Sequence, residues 1–341
     1  MSHEPLQVAQ IGCGYWGPNL VRSFSALEGC RVKYVAEASP ERRRFVESNF
    51  PRSRAVADMM VVLEDPAVQA VVVATPARSH FAIAKQALSR GKHTLVEKPL
   101  AMCVAEVDEL TALAAKQRLT LMVGHTFLFN PAVSYLKNLI AGGGLGRVYY
   151  VYARRVNLGV IRSDVNAMWN LAPHDVSILC HLLGTGPVRV AAHGTDYIQP
   201  GVEDVVFMHL EFPDKICAHV HVSWLDPNKV RRVTVVGSRK MAVYDDVADD
   251  KIAIYDKGIE SEGAVPERPF DSVSAARFVH RAGDILLPRI AFKEPLRLEA
   301  EHFLECIRAG KTPLTGPAHA RQVVEVLEKA QRVLRPDGAA S

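Results

Sequence analysis

Through its first 124 residues the chain alternates short apolar runs with helical patterns, and a glycine-rich turn follows the first run directly. The runs 6–11, 31–36, 71–74, 93–96 and 119–123 read as strands. The segment from the glycine turn to about residue 27, then 40–49, 81–89 and 105–116, read as helices. The run 71–74 is continuously apolar, as a strand buried on both faces should be. Strands alternating with helices build βαβ units, whose crossovers are right-handed and whose strands are parallel. The expected fold of this part is therefore α/β, a Rossmann domain with a doubly wound parallel sheet.

After Gly124 the rhythm changes. A helix at 131–140 runs into Gly142-Gly143-Gly144, where a helix cap and turn are expected. A strand at 148–156 and a helix around 174–183 follow. Strands then crowd together at 188–193, 205–212, 216–224, 232–236 and 241–244, separated in part by the turn signals Pro213-Asp214 and Asp226-Pro227-Asn228. This is an α+β pattern with a large, mostly antiparallel open sheet. Amphipathic helices at 298–309 and 318–334 close the chain and are candidates to pack back on the first domain. The expected division is 1–124, a dinucleotide-binding domain, and 125–341, a domain for substrate and oligomerisation. Val206, Met208, Leu210 and Phe212 fit a covered side of the second sheet, and Phe207, Cys217, His219 and His221 the other. Too few helices are foreseen to cover both sides, so the second side is expected to join a homodimer or homotetramer.

Bulk properties narrow the class. With 41 Lys+Arg against 37 Asp+Glu the net charge is only +4, which argues against a nucleic-acid binder. No apolar run approaches the roughly 20 residues that cross a bilayer. The N-terminus lacks a basic segment followed by an apolar stretch. Cys13, Cys30, Cys103, Cys180, Cys217 and Cys306 stand singly, as reduced thiols do, so a cytoplasmic location is expected.

The turn after the first strand reads Gly12-Cys13-Gly14-Tyr15-Trp16-Gly17. In a GxGxxG turn the first glycine permits a tight bend, the second lets backbone approach a pyrophosphate, and the third lets helix pack on strand. Unpaired N–H groups at the helix N-terminus favour the phosphates. Glu37 ends the second strand, 20 residues after Gly17, where a carboxylate binds the ribose hydroxyls of adenosine. That carboxylate repels a 2′-phosphate, which favours NAD over NADP. Arg42, Arg43 and Arg44 follow on a helix and could instead reach such a phosphate. Glu97-Lys98-Pro99 ends another strand, at the sheet edge where ligands bind in open α/β folds, and Lys98 can there donate to a substrate oxygen.

These motifs, with Ala74-Thr75-Pro76, His80 and Gly124-His125, resemble those of the Gfo/Idh/MocA oxidoreductases. Leu171-Ala172-Pro173-His174-Asp175 falls at that family's catalytic histidine, and the likeness continues through Glu301–Cys306 and Pro313-Leu314-Thr315. The resemblance implies a nicotinamide-dependent oxidoreductase of sugars or cyclitols, with Gly12, Gly14, Tyr15, Trp16, Gly17, Glu37, Thr75, Pro76, His80, Glu97 and Lys98 at the cofactor. It implies Lys98 and His174 as catalytic groups, supported by Asn170, and His125, Asn157, Arg162 and Asp175 at the substrate. Many members carry Asp where this chain has Asn170. On a helix, positions i and i+4 share a face, so Asn170 can still hydrogen-bond His174 but brings no charge.

Asn157-Leu158-Gly159, Arg162-Ser163-Asp164 and residues 169–177 are similar to the branch that oxidises C3 of UDP-N-acetylglucosamine, whose 3-keto product goes to a PLP-dependent aminotransferase. A UDP-sugar substrate and such a partner are thereby implied. Arg154, Arg155 and Arg162 are candidates for its pyrophosphate. Two other readings stay open: a family enzyme for another sugar, a dTDP-ketosugar or an inositol, and a non-catalytic dinucleotide-binding regulator. His219 and His221, with His209 beside them, have metal-compatible spacing, but no carboxylate or Cys is arranged with them, and no metal is expected.

Overall fold

The computed structural model describes residues 4–262 and 277–335. The first sheet is built from β1 (Leu6–Ile11), α1 (Gly17–Ser25), β2 (Cys30–Ala36), α2 (Pro40–Asn49), β3 (Arg54–Val56), α3 (Met60–Glu64), β4 (Ala70–Val73), α4 (His80–Ser89), β5 (His93–Glu97), α5 (Val104–Gln117) and β6 (Leu121–Gly124). Its six strands run parallel in the order β3-β2-β1-β4-β5-β6. This is the doubly wound Rossmann order, whose topological switch lies between β1 and β4. All four residues of β4 are buried, as helices on both faces require. The start of α2 is set locally, because Ser39 Oγ accepts from the Arg42 N–H and Pro40 occupies the first turn. The reading above lacks β3 and α3, which are too short to show a periodicity.

The second part comprises α6 (Pro131–Ala141), β7 (Val148–Leu158), α7 (Ala167–Leu183), β8 (Arg189–Thr195), β9 (Val205–Glu211), β10 (Cys217–Ser223), β11 (Leu225–Gly237), β12 (Met241–Asp245), β13 (Ile252–Glu262), β14 (Arg277–Leu286), α8 (Pro295–Ala309) and α9 (Pro317–Leu334). The strands form one eight-stranded sheet in the order β14-β13-β12-β11-β7-β10-β9-β8. Only the β7–β10 pairing is parallel. The sequence reading lacks β13 and β14 and ends the sheet at residue 244. It also takes Asp226-Pro227-Asn228 as a turn, whereas these residues lie in β11 where its register against β7 slips between Leu225 and Val230. A bulge tolerates proline and asparagine that a regular central strand would not.

Val206, Met208 and Leu210 point into the core with α7 and α9, whereas Phe207, Tyr150 and Tyr152 are 50%, 44% and 41% exposed on the other face. The C-terminal helices tie the two sheets together. Leu296, Ala300, Phe303 and Leu304 of α8 pack among Leu6, Val8 and Leu20, with Phe303 edge-on to Phe24 at 6.2 Å. Helix α9 packs against both α7 and α5. Among the described residues no helix is long and apolar enough to cross a membrane.

Candidate active site

The glycine turn sits at the switch between β1 and β4. Gly12 has φ +90°, and a Cβ there would stand 2.6 Å from the Ala74 carbonyl oxygen, so only glycine fits. A Cβ on Gly17 would come within 2.9 Å of Gln10 Nε2, whose amide donates to the Gly12 and Gly17 carbonyls. Gly14 differs, because its missing side chain faces open space and leaves the backbone bare. Glu37 Oε2 accepts from the Cys13 N–H at 2.7 Å and Oε1 from the Ser39 N–H at 2.9 Å, so the carboxylate stands at the turn. Arg42 donates to the carbonyls of Cys13 and Gly14, and Arg43 to those of Glu37 and Ala38. Tyr15 is 95% exposed. Trp16 crosses to β5, its indole N–H donating to Glu97 Oε1 at 2.8 Å. A bare backbone cradle, a helix N-terminus and an acid at the end of β2 fit a dinucleotide.

Lys98 follows β5, and its Nζ donates to the Asn170 carbonyl of α7 at 2.8 Å. The Lys98–Pro99 peptide is cis. Pro173 lies inside α7 and supplies no N–H, so the Trp169 carbonyl next to that acceptor also lacks its helical donor. Burial pushes the Lys98 ammonium down to about 8, Arg155 and Arg162 add to the shift, and Glu97 opposes it. Burial, then Lys98 and Arg155, hold His174 well below the usual histidine range, so its imidazole is neutral near pH 7. Its Nδ1 is enclosed with no hydrogen-bond partner. The wall beside it is Phe127, 4.9 Å away ring to ring, with the Arg155 guanidinium over that ring at 4.3 Å. Arg155 in turn grips Asp175 by two buried hydrogen bonds of 2.8 and 3.2 Å.

Asn170 does not hold His174. Its side-chain oxygen accepts from the Trp224 indole at 3.1 Å, and its backbone oxygen takes Lys98. Trp224 reaches it from the loop between β10 and β11, a contact that helix spacing cannot reveal. His80 is buried, with Nδ1 2.7 Å from the Pro99 carbonyl and Nε2 2.8 Å from the Thr75 carbonyl. Its place is thus between the loops after β4 and β5, holding Thr75-Pro76 against Lys98-Pro99. The Ser79 hydroxyl fastens the same loop by donating to Thr75 Oγ1.

His125 is buried after β6, and its Nδ1 also lacks a partner. Asn157 lies late in β7 with its amide against Gly159. Arg162 is paired to Asp164 at 2.7 and 2.8 Å, Arg154 to Asp226 at 2.5 Å, and Arg155 to Asp175, so each arginine considered for a pyrophosphate has a carboxylate partner. On the open sheet face His209 and His219 lie 4.7 Å apart and Phe207 stacks on His221 at 4.3 Å. Among the described residues no group of three or more His, Cys, Asp or Glu could hold a metal.

Sequence reasoning missed several neighbours of this site. Phe127 and Trp224 carry no motif. Glu299 of α8 comes to the back of Glu97, its Oε2 accepting from Thr126 and its carboxyl held well above the usual range by burial and then by Glu97. His319 of α9 meets His125 edge-on at 5.4 Å. No spacing along either element signals that last contact.

Fold and turn together define a protein whose first third is a dinucleotide-binding Rossmann domain. Residues 6–125 match the oxidoreductase family with that fold, and residues 133–243 match the GFO/IDH/MocA C-terminal domain, so the chain belongs to the Gfo/Idh/MocA family. It is 25% identical over 320 residues to UDP-N-acetylglucosamine 3-dehydrogenase of Acidithiobacillus ferrooxidans, covering 94% of each chain. The solved structure of that protein superposes with a TM-score of 0.79 over 97% of this chain and 98% of the other. Scyllo-inositol 2-dehydrogenase (NAD(+)) of Bacillus subtilis is 26% identical, with 96% of this chain and 93% of the relative covered. GenD2 from gentamicin A biosynthesis, solved in complex with NAD, gives a TM-score of 0.80 at 26% identity, over 98% of this chain and 95% of the other.

Proposed function

We propose that this protein is an NAD-dependent dehydrogenase that oxidises the C3 hydroxyl of a UDP-sugar, with UDP-N-acetylglucosamine as substrate, to a 3-keto sugar. The observation that carries the reading is the Lys98–Asn170 hydrogen bond. It brings the end of β5, where a nicotinamide ring would lie, onto the helix of His174. Residues 1–124 then serve the dinucleotide and 125–341 the sugar.

When bound, the nicotinamide supplies the acceptor for the hydride that leaves C3. The protein handles the proton and the oxygen. His174, neutral and shielded, takes the C3 hydroxyl proton. One Lys98 N–H is engaged by Asn170, and the other two are available to the oxygen as negative charge develops there. Arg155 is neutralised by Asp175, so it stiffens the Phe127 wall without competing for that oxygen. Thr75, Pro76 and Glu97 border the nicotinamide half, and Gly12, Gly14, Tyr15, Trp16, Gly17 and Glu37 the adenosine and phosphates. Asn157 and Arg162 frame the sugar side, whereas His125 and Asp175 are both buried, Asp175 in its pair with Arg155.

NAD is preferred to NADP because Glu37 stands at the turn and because Arg42 and Arg43 are taken up by backbone carbonyls. The keto product suits a PLP-dependent aminotransferase as the next enzyme. The exposed Tyr150, Tyr152 and Phe207 suit the interface of a homodimer or homotetramer. A second reading, an inositol dehydrogenase, is supported by the full-length likeness to the Bacillus subtilis enzyme. The regulator reading is disfavoured by the retained Lys98 and the neutral His174.

The experiment measures NADH formation from NAD with UDP-N-acetylglucosamine, scyllo-inositol and myo-inositol, with an aminotransferase present to draw off keto product. Lys98→Met and His174→Ala are each expected to lower kcat by about a hundredfold or more, damaging the chemical step more than nucleotide binding. Near-normal kcat in both variants overturns the active site, and turnover of inositol alone selects the second reading.

A further inference from the structure

An imidazole accepts a proton well only when its ring plane is set, and rotamer preference does not set it, because the torsion from Cβ to a ring is broad and roughly two-fold. A hydrogen-bonded third group commonly orients a catalytic base. The polar groups nearest His174 along α7 are engaged elsewhere. Four residues back, the Asn170 amide oxygen is taken by the Trp224 indole and the Asn170 carbonyl by Lys98. One residue on, the Asp175 carboxylate is committed to Arg155 by two buried hydrogen bonds. His174 Nδ1 is left with no partner. What meets the ring is Phe127, from the turn Thr126–Phe129 after β6. The ring centroids lie 4.9 Å apart with the planes at 67°, an edge-on geometry in which aromatic quadrupoles attract. Phe127 is itself held. The Arg155 guanidinium lies over its ring at 4.3 Å, and its carbonyl accepts from the Asn130 N–H at 3.1 Å. The contacts close a circuit, from His174 to Phe127, to Arg155 of β7, to Asp175, the residue next to His174 on α7.

We propose that Phe127 is the positioning residue of His174, setting the plane of the imidazole by ring contact while the Arg155–Asp175 pair keeps Phe127 from turning. The inference rests on the reading of His174 as the proton acceptor. Proton transfer needs the accepting ring nitrogen within hydrogen-bond reach of the hydroxyl and aligned with it, so a ring free to swing about its Cβ loses turnover without losing substrate. The device also differs from an orienting carboxylate in its charge. A carboxylate on the imidazole would stabilise the imidazolium and favour a proton held between turnovers. Phe127 fixes the direction and adds no negative charge, and the carboxylate close by is neutralised by Arg155. Three separate elements supply the parts: α7 the base and Asp175, β7 the guanidinium, and the turn after β6 the ring.

The test compares Phe127→Leu, which keeps an apolar side chain and loses the ring, with Phe127→Tyr, which keeps the ring. Phe127→Met replaces the leucine variant if that one fails to fold. Phe127→Leu is expected to lower kcat about tenfold, less than loss of His174 itself, with the substrate KM and the NAD Kd unchanged. Phe127→Tyr is expected to recover most of the lost turnover. On a His174→Ala background, Phe127→Leu is expected to remove nothing further, because the ring it acts through is gone. Wild-type kcat in Phe127→Leu, an equal loss in both ring variants, or the same further loss on the His174→Ala background overturns the assignment. Carbon NMR relaxation of labelled histidine rings, on the enzyme without sugar, needs no turnover. The His174 ring is expected to be rigid in wild type and Phe127→Tyr and mobile on the ps–ns timescale in Phe127→Leu, and equal rigidity in all three overturns the positioning role. If wild type turns over no sugar, the proposed function falls while the relaxation result still decides whether Phe127 holds His174.

Discussion

Replacing Asn170 by Asp puts a carboxylate on the residue whose backbone already holds Lys98. Trp224 keeps its acceptor, because either side chain offers an oxygen at that position, so the fold is expected to survive. The Lys98 Nζ is 2.8 Å from the Asn170 carbonyl oxygen. Taking roughly 6 Å between the charges and an effective dielectric constant of about 20, Coulomb's law gives about 3 kcal/mol, or about two pH units. Lys98 titrates at about 8, so in wild type the alkaline limb of kcat/KM is expected there, and by pH 9 about one lysine in ten keeps its proton. In Asn170→Asp the limb is expected to move upward by about one to two units, with activity at neutral pH retained or raised. The measurement is kcat/KM against pH for both proteins on one sugar substrate, paired with carbon NMR of labelled lysine to assign the titration. A folded Asn170→Asp protein whose alkaline limb and Lys98 resonance both stay at the wild-type pH would refute the electrostatic coupling.

Three further outcomes are expected. Glu37→Ser removes the acceptor for the Cys13 and Ser39 N–H groups, so NAD is expected to bind more weakly and the gap to NADP to narrow. Titration calorimetry with both cofactors checks this, and an unchanged ratio speaks against Glu37 as the discriminator. Asp175→Ala strands the buried Arg155 charge and is expected to cost about 3–5 kcal/mol of stability, with a loss under about 1 kcal/mol in urea unfolding contradicting it. His125, His174 and His319 are all held below the unfolded-state value by burial, so the unfolded chain binds more protons than the folded one below about pH 6.5. Their stabilising neutrality is complete above that pH and lost as pH falls, so Tm is expected to drop on acidification. A Tm flat from about pH 7 to about pH 5 would contradict the assignment.

The parallel sheet, the glycine turn, Glu37 and the motif bearing Lys98 were legible in the sequence because they are local. A strand, a turn and the first residues of a helix interact within about one βαβ unit, so spacing alone carries their geometry. The same holds for the period-two alternation of Val206, Met208 and Leu210, which separates the two faces of β9. What the sequence could not convey was the pairing of side chains distant along the chain. Asn170 and His174 share a helix face, yet Asn170 is claimed by Trp224 and Lys98, because β10, β11 and β5 bring partners that the helix itself does not contain. Arg155 looked available for an anion until the sheet set it against Asp175. His319 lay in an amphipathic stripe with no motif and reached His125 only through the docking of α9 on α7. Backbone and period depend on near neighbours in sequence, whereas hydrogen-bond partners and burial-shifted protonation depend on which elements the hydrophobic core brings together.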